Sequence, residues 1–369
     1  ATQNQELRDK HFHGLPERVM NYFRFLARDV REIMASLGVT RFNDLVGRSD
    51  LLEQLPGVTA KQNALDLAPI LASAATRNDE TPWCSTERNP PYDQGRLNRE
   101  IVDACTDALD AGESWSGHFG IRNFDRSVGA MLAGEVARRH GRDGLPEDRL
   151  QVRLEGTAGQ SFGCWNPPGV TLSLEGDAND YVGKGMSGGR IVLTTNESDR
   201  AHARRNVICG NACLYGATGG ELFANGQAGE RFAVRNSGAQ AVVEGAGHHA
   251  CEYMTGGTVV IMGPFGPNLA AGMTGGELFV LDPNKLSERY LNREFVDAAP
   301  LEEQQFDAPR RRLKSLVSSH VSLTNSEWGR RVLDSWEMML PNWIYIVPRN
   351  LAASNEISQQ DVPLRLVKA

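Results

Sequence analysis

Three groups of residues outside the glycine-rich middle of this 369-residue chain could do chemistry. His11 and His13 stand two apart, as metal ligands can, but no third or fourth ligand follows nearby in the sequence. Gly47–Asp50 reads Gly-Arg-Ser-Asp, which could bind an anion but more commonly forms a helix-capping turn. The basic run Arg310–Arg312 is more simply interpreted as a solvated helix face.

Other candidates lie in the middle of the chain. Cys209 and Cys213 could gather with Cys251, although small inward-facing hydrophobes are the commoner role of such cysteines. Gly183–Gly185 belongs to a repeated glycine pattern, so it does not make a dinucleotide-binding fingerprint.

The best polar cluster of the middle region is His248-His249 with Glu252, for which a turn at the edge of a repeat is the simpler interpretation. The sequence contains no nucleophile elbow, Walker loop or HExxH motif. We therefore predict no catalytic, cofactor-binding or metal-binding residues in this chain.

These middle residues sit on a repeat that runs from Gly169 to Asp282, with a step of about 19 residues. One step is longer, and its insertion of about 12 residues is placed in Thr194–Arg205. The residue two positions after each repeat glycine is polar. The glycines are Gly169, Gly188, Gly219, Gly238, Gly256 and Gly275.

Two apolar columns follow each of these glycines. The residues three positions on are Leu172, Ile191, Leu222, Ala241, Val259 and Leu278. The residues five positions on are Leu174, Leu193, Ala224, Val243, Ile261 and Val280. Apolar residues two apart share one face of a strand, and a fixed period favours stacked coils. The prediction is a mainly β fold, a right-handed parallel β-helix of about six coils.

Helices are predicted to flank the repeat at both ends. Pro16–Leu37 has one apolar face, a proline suited to the first turn and a closing Gly38. Asn43–Leu55 is a candidate short helix, and 56–95 an extended linker anchored by Trp83. The apolar face of Pro16–Leu37 needs a cover, so it should fold back, pair with a second copy or be mobile.

Helix-like spacing returns from Leu97 to Leu109, and Leu150–Glu155 reads as a strand leading into the repeat. Between them, His118–Asn123 is a predicted strand, and Asp125 or Ser127 is expected to cap a helix ending near Gly141.

Beyond the repeat, Thr324 or Ser326 is expected to cap a last helix. Trp343–Pro348 is read as a strand or docking segment, and the end from Leu351 as loose.

Bulk properties limit the class of function. The net charge of −7 and pI near 5.7 argue against a nucleic-acid partner. No apolar run approaches the ~20 residues that span a bilayer, and no export signal opens the chain. The six cysteines lack disulfide-framework spacing. A cytoplasmic location is therefore expected.

Several long stretches of the chain carry motifs that occur together in a known family. They are Ala1–Gln3, Pro16–Phe23, Gly47–Leu52, Gly156–Gly163, Leu174–Gly185, Gly229–Ala239, Cys251–Gly257 and Asn325–Pro348. These motifs resemble the C-terminal region of the glutamate synthase large subunit. The resemblance covers nearly the whole chain and departs modestly from the family at Cys164–Pro168, His248 and Ala250.

The resemblance implies an enzyme that converts glutamine and 2-oxoglutarate into two glutamates. It implies FMN and a 3Fe-4S cluster in the full-length subunit, partnered by its amidotransferase and FMN-barrel domains and by a small reductase subunit or ferredoxin. The chain is expected to begin past the cluster cysteines, so no catalytic or cofactor residue carries over to it. The implied domains are a synthase-domain tail at 1–60, a linker at 61–95, the β-helix at 96–290 and a docking tail at 291–369.

Two other readings compete with this one. The first is a free-standing assembly module such as the related β-helix subunit of formylmethanofuran dehydrogenase, for which the helix at Pro16–Leu37 has no purpose. The second is an acyltransferase of hexapeptide coils, but the required aliphatic residue at every sixth position is absent.

Overall fold

A computed structural model describes residues 7–72 and 95–349. The chain divides into two units, Ala1–Pro90 and Pro91–Ala369. The expectations for Trp83 and for the chain end from Leu351 lie outside the described residues.

The first unit is organised on helix α1, Pro16–Ser36, which confirms the predicted helix. Proline occupies the first turn, and Gly38 follows the helix with a left-handed φ of 71°. Met34 is the one residue of α1 that is buried. Its other large apolar side chains are exposed, Phe23 to 60% and Phe25 to 58%.

The remainder of the first unit consists of short pieces. The helix predicted at Asn43–Leu55 is wrong: two single-turn 3₁₀ segments, Phe42–Leu45 and Ser49–Leu51, stand there instead. Gly47 between them has a φ of 77°, which a continuous α-helix cannot contain. The predicted linker includes helices α2, Ala60–Asn63, and α3, Ala68–Leu71.

A single 11-stranded sheet organises the second unit. The order is β1-β2-β3-β4-β6-β7-β8-β9-β11-β10, and β5 pairs with β3 and β6. Neighbours are parallel from β1 through β9, whereas β10 and β11 are antiparallel additions. The strands are β1 Trp115–Ile121, β2 Leu150–Ala158, β3 Val170–Ala178, β4 Ser187–Thr194, β5 Val207–Cys209, β6 Gly219–Ala228, β7 Ser237–Ala246, β8 Thr255–Ile261, β9 Gly275–Leu281, β10 Val296–Pro300 and β11 Trp343–Pro348.

The helices of the second unit are α4 Arg96–Ala111, α5 Ala130–His140, α6 Ser287–Tyr290, α7 Asp307–Thr324, α8 Glu327–Asp334 and α9 Trp336–Met339. They precede the sheet in sequence, as α4 does, or lie between its strands, as α5 does between β1 and β2 and α6–α9 do between β9 and β11. Helix α5 begins later than predicted, after Gly129, and neither Asp125 nor Ser127 caps it. The Asp125 carboxylate instead accepts the backbone N–H of Arg122, 2.8 Å away. Ser326 caps α8 as predicted, because its Oγ accepts the N–H of Gly329.

Both predicted internal columns are confirmed. Leu172, Ile191 and Leu222 pair in register, and the column continues to Leu278 with every member fully buried. The column from Leu174 to Val280 is likewise in register and buried. Stacking like side chains on like makes a solenoid of about six turns with its apolar core inside.

The parallel stack also extends two strands, β1 and β2, before the predicted repeat. Residues Leu150–Ala158 of β2 pair in register with Val170–Ala178 of β3, so β2 continues both internal columns. Arg149 occupies the position where the repeat has a glycine, which explains why the glycine frame misses this strand. Gly176 has no room for a side chain, because a Cβ there would lie 1.8 Å from the carbonyl oxygen of Gly156.

At the corners of the coils, every second residue has a left-handed backbone conformation with a positive φ. Arg231, Ala233 and Arg235 have φ values of 58°, 56° and 55°, and five other corners repeat this alternation. The N–H groups of Arg231 and Arg235 donate to the following coil, whereas that of Ala233 donates to Cys213 of the preceding coil. Each left-handed non-glycine residue costs about 1–3 kcal/mol, which these hydrogen bonds between coils help to offset.

The outer face of the sheet has two halves. One column runs in register from Arg153 and Ser173, which are exposed and half-buried, to Phe223 and Phe279, which are buried. Side chains of α7, α8, α9 and β11 form a second hydrophobic core with the apolar end of this column. We call the outer surface of β6–β9 the covered half and that of β1–β3 the open half.

Candidate functional site

The insertion in the repeat builds one wall of a cleft. It forms a 3₁₀ segment, Glu197–Arg205, between β4 and β5, inside the predicted range. The Arg204 carbonyl accepts Nε2 of Gln227 at 2.9 Å, and the Arg204 guanidinium lies 4.7 Å from the centre of the Trp328 ring. Trp328 is itself fixed, because its Nε1 donates to the carbonyl of Met262 at 2.7 Å.

A buried polar cluster lies at the base of this cleft. Glu244 points outward from β7 and is 1% exposed, and its Oε1 contacts both His320 of α7 and Ser326 at the start of α8. His320 Nε2 lies 3.2 Å from that oxygen, and the Ser326 hydroxyl donates to it. The other carboxylate oxygen, Oε2, has no hydrogen-bond partner among the described residues.

Serine, histidine and glutamate suggest a hydrolase triad by type, but the geometry is different. In a triad the histidine lies between the other two and takes the serine proton. Here Ser326 and His320 both contact Glu244, and Ser326 Oγ also accepts the N–H of Gly329 at 2.8 Å. The arrangement ties the α7–α8 junction to strand β7.

Two cavities adjoin this cluster. One has a volume of about 380 Å³ and the other of about 180 Å³, and both are lined by Arg204, Arg205, Glu244 and Trp328. We call the two together the insertion cleft. Sequence reasoning located the insertion but missed Glu244, because its partners are 76 and 82 residues away along the chain.

A third cavity of about 440 Å³ is lined by residues of β1–β4 and by Leu323, Thr324 and Asn325 at the end of α7. Arg190 extends beside it and contacts Glu147, Asp148 and Glu221 at 2.8–3.1 Å. Arg190 and Glu221 are outward members of the repeat at the polar position, and this network ties two coils to the loop before β2.

The histidine pair predicted as the best polar cluster of the repeat does not form one centre. Nδ1 of His248 lies 3.8 Å from Glu230, whereas Nδ1 of His249 lies 3.6 Å from Glu252. His249 has a φ of 61°, as a member of a left-handed corner. The two imidazoles therefore have different carboxylate neighbours.

The cysteines of the repeat are core side chains. Cys209, Cys213 and Cys251 are at most 1% exposed. A hydrogen bond with Cys213, together with burial, raises the pKa of Cys209, and burial raises that of Cys251. Because the thiolate is the reactive and metal-binding form, the thiols of Cys209 and Cys251 are poor nucleophiles and ligands at neutral pH.

The other candidates have local roles. Arg48 pairs with Asp50 at 2.7 Å, and the Lys184 ammonium lies over the rings of Tyr181 and Tyr215. The exposed side chain of Arg312 on α7 contacts Glu277 at 2.6 Å. His11 lies in a short π-helical turn, Leu7–His11.

Over 7–72 and 95–349, no three or more His, Cys, Asp or Glu side chains converge as metal ligands would. The helices described there include none both long and apolar enough to cross a bilayer.

Comparison with known protein families shows which families this glycine-rich solenoid matches. The GXGXG motif family matches residues 98–349, which include the whole sheet and the insertion cleft. The chain belongs to the GXGXG motif family. A second family, described as a conserved region in glutamate synthase, matches residues 1–40 and so includes α1.

This GXGXG chain is also similar to curated glutamate synthases. It is 41% identical to the glutamate synthase (NADPH) large chain of Bacillus subtilis, over 95% of this chain and 23% of that protein. It is 42% identical to the glutamate synthase (NADH) of Schizosaccharomyces pombe, over 96% of this chain and 16% of that protein. It is 42% identical to ferredoxin-dependent glutamate synthase 2 of Synechocystis, over 94% of this chain and 22% of that protein. The chain thus spans less than a quarter of the length of these relatives.

Proposed function

We propose that this chain is the C-terminal structural part of a glutamate synthase large subunit. That subunit makes two glutamates from glutamine, 2-oxoglutarate and a reductant. The similarity to three glutamate synthases over nearly all of this chain carries the proposal. In it, 1–60 is the tail of the synthase domain, 61–95 a linker, 96–290 the GXGXG β-helix and 291–369 a docking tail.

In this proposal the β-helix joins and positions catalytic domains and is not itself catalytic. A stack whose apolar core is internal keeps its shape without a neighbour, which suits a rigid spacer. The apolar side chains exposed on α1, such as Phe23 and Phe25, provide surface for the adjoining FMN-barrel domain. A cytoplasmic location, an amidotransferase domain and a reductase or ferredoxin partner belong to the same proposal.

FMN and the 3Fe-4S cluster are assigned to other parts of the subunit. The described residues do not fit an iron–sulfur cluster, because their cysteines are buried core side chains and no ligand group converges. We therefore assign no step of the reaction to a side chain of this chain.

A chimaera tests the proposal. The segment of the Bacillus subtilis large chain that matches this chain is replaced by this chain, and glutamate formation from glutamine and 2-oxoglutarate is measured. We expect an assembled, active chimaera and an inactive enzyme when the segment is deleted. A chimaera that assembles with its flavin but forms no glutamate contradicts the proposal.

A second measurement tests the structural role. The isolated chain should be colourless, bind neither FMN nor iron, and form no glutamate. A flavin spectrum that persists through gel filtration would show that the chain holds part of the catalytic machinery.

A further inference from the structure

The insertion cleft has an unusual distribution of charge. Arg204 and Arg205 line both cavities, and neither lies within ion-pair distance of a carboxylate among the described side chains. Arg331 lines the smaller cavity, where its nearest carboxylate is that of Glu327 at 3.9 Å. A guanidinium without a carboxylate presents a planar set of donors that matches a carboxylate ligand.

The base of the cleft has the opposite character. Glu244 is buried and lines both cavities, and its Oε2 lacks a hydrogen-bond partner. A buried polar atom without a partner is unfavourable, so a ligand that donates a hydrogen bond there would be stabilised. A ligand with carboxylates alone would place negative charge against Glu244.

The larger cavity also offers apolar surface. Met262, Leu281, Leu286 and Trp328 line it, together with the polar residues Gln227 and Asp282. Its volume of about 380 Å³ lies within the range of small-molecule sites. The cleft therefore combines cations for a carboxylate, a carboxylate for an ammonium and apolar surface for a short side chain.

We propose that the insertion cleft binds a free α-amino acid. The α-carboxylate lies between Arg204 and Arg205, the α-ammonium donates to Glu244, and the side chain contacts Trp328. An insertion in one coil of a regular solenoid is a common place for a binding surface, and here it supplies both arginines. The site does not depend on the proposed function, because the ligand is recognised by groups that all α-amino acids share.

Isothermal titration calorimetry of the full chain with L-glutamine tests the site. We expect saturable binding of one ligand per chain, weakened about tenfold or more by Arg204→Ala and by Arg205→Ala. Arg99→Ala is the matched control, because Arg99 is exposed on α4, and it should leave the affinity unchanged. Absence of saturable binding, or equal affinity in all three variants, overturns the proposal.

The ligand provides a test that needs no variant at Glu244. Glutaramate is glutamine without the α-amino group, and we expect it to bind at least about tenfold more weakly. Equal affinity for the two ligands shows a general anion site and contradicts the amino-acid assignment. The titration involves no turnover, so its outcome is independent of the chimaera experiment.

Discussion

Glu175 and Glu244 occupy the same position in two coils of one sheet, yet the first is exposed and the second is 1% exposed. Each follows a member of the same inward column, Leu174 and Val243, so both point outward. Glu175 lies on the open half of the outer face. Glu244 lies on the covered half, where His320 and Ser326 contact it.

The contrast separates what the repeat determines from what it leaves free. The spacing of the repeat fixes which side chains point inward, because strand side chains alternate. It does not fix the surroundings of the outward side chains, which depend on whether α7 and α8 lie over them. The covered half should therefore respond to substitution like a core, and the open half like a surface.

The largest effect is expected in the apolar part of the outer column. Phe223 is 1% exposed, and Phe223→Ala should lower the free energy of unfolding by about 3–5 kcal/mol. Ser173 lies in the same column on the open half, so Ser173→Ala should change it by less than about 0.5 kcal/mol. Urea unfolding followed by circular dichroism measures both, and similar effects would remove the distinction between the halves.

A smaller, pH-dependent effect is expected at Tyr345 on β11. Its hydroxyl donates to Glu277 Oε1 at 2.5 Å, and burial, assisted by Glu277, raises its pKa. The resulting stabilisation is present below the unfolded pKa of about 10 and is lost as pH rises above it.

Tyr345→Phe should therefore lower the free energy of unfolding by about 1 kcal/mol at neutral pH. It should also make that free energy fall less steeply above pH ~10. Urea unfolding at several pH values measures this. Tyr253 is 54% exposed and serves as control, since Tyr253→Phe should alter neither quantity. An unchanged alkaline slope in Tyr345→Phe contradicts the assignment.

The smallest effect on stability is expected in the first unit. Phe23 of α1 is 60% exposed, so Phe23→Asp should shift the thermal midpoint of the second unit negligibly. It should weaken any dimer, measured by analytical ultracentrifugation, or raise solubility, because it interrupts an exposed apolar face. A large fall in the midpoint without a change in association would assign α1 to the core of the β-helix.

The sequence predicted the solenoid well because its signal is repeated. Leu172 and five counterparts share one spacing, and each copy supports the others. The strand β2 was missed as a coil because Arg149 replaces the expected glycine. The helix predicted at Asn43–Leu55 was wrong because this signal is local and Gly47 interrupts it.

The candidate site was less predictable. Irregular spacing revealed the insertion before Val207, but nothing local distinguishes Glu244 from Glu175. The contacts of Glu244 come from helices outside the repeat, and no periodic pattern connects them with β7. The left-handed corners at residues such as Arg231 were also hidden, since their stabilising hydrogen bonds join different coils.

The most direct test compares Glu244→Ala with Glu175→Ala in the free energy of unfolding. The substitution at Glu244 removes the acceptor of both His320 and Ser326 in a buried setting, and should cost about 3 kcal/mol. The substitution at Glu175, at the equivalent exposed position, should cost less than about 0.5 kcal/mol. Equal losses would contradict the claim that the covering helices, and not the repeat, decide the roles of outward residues.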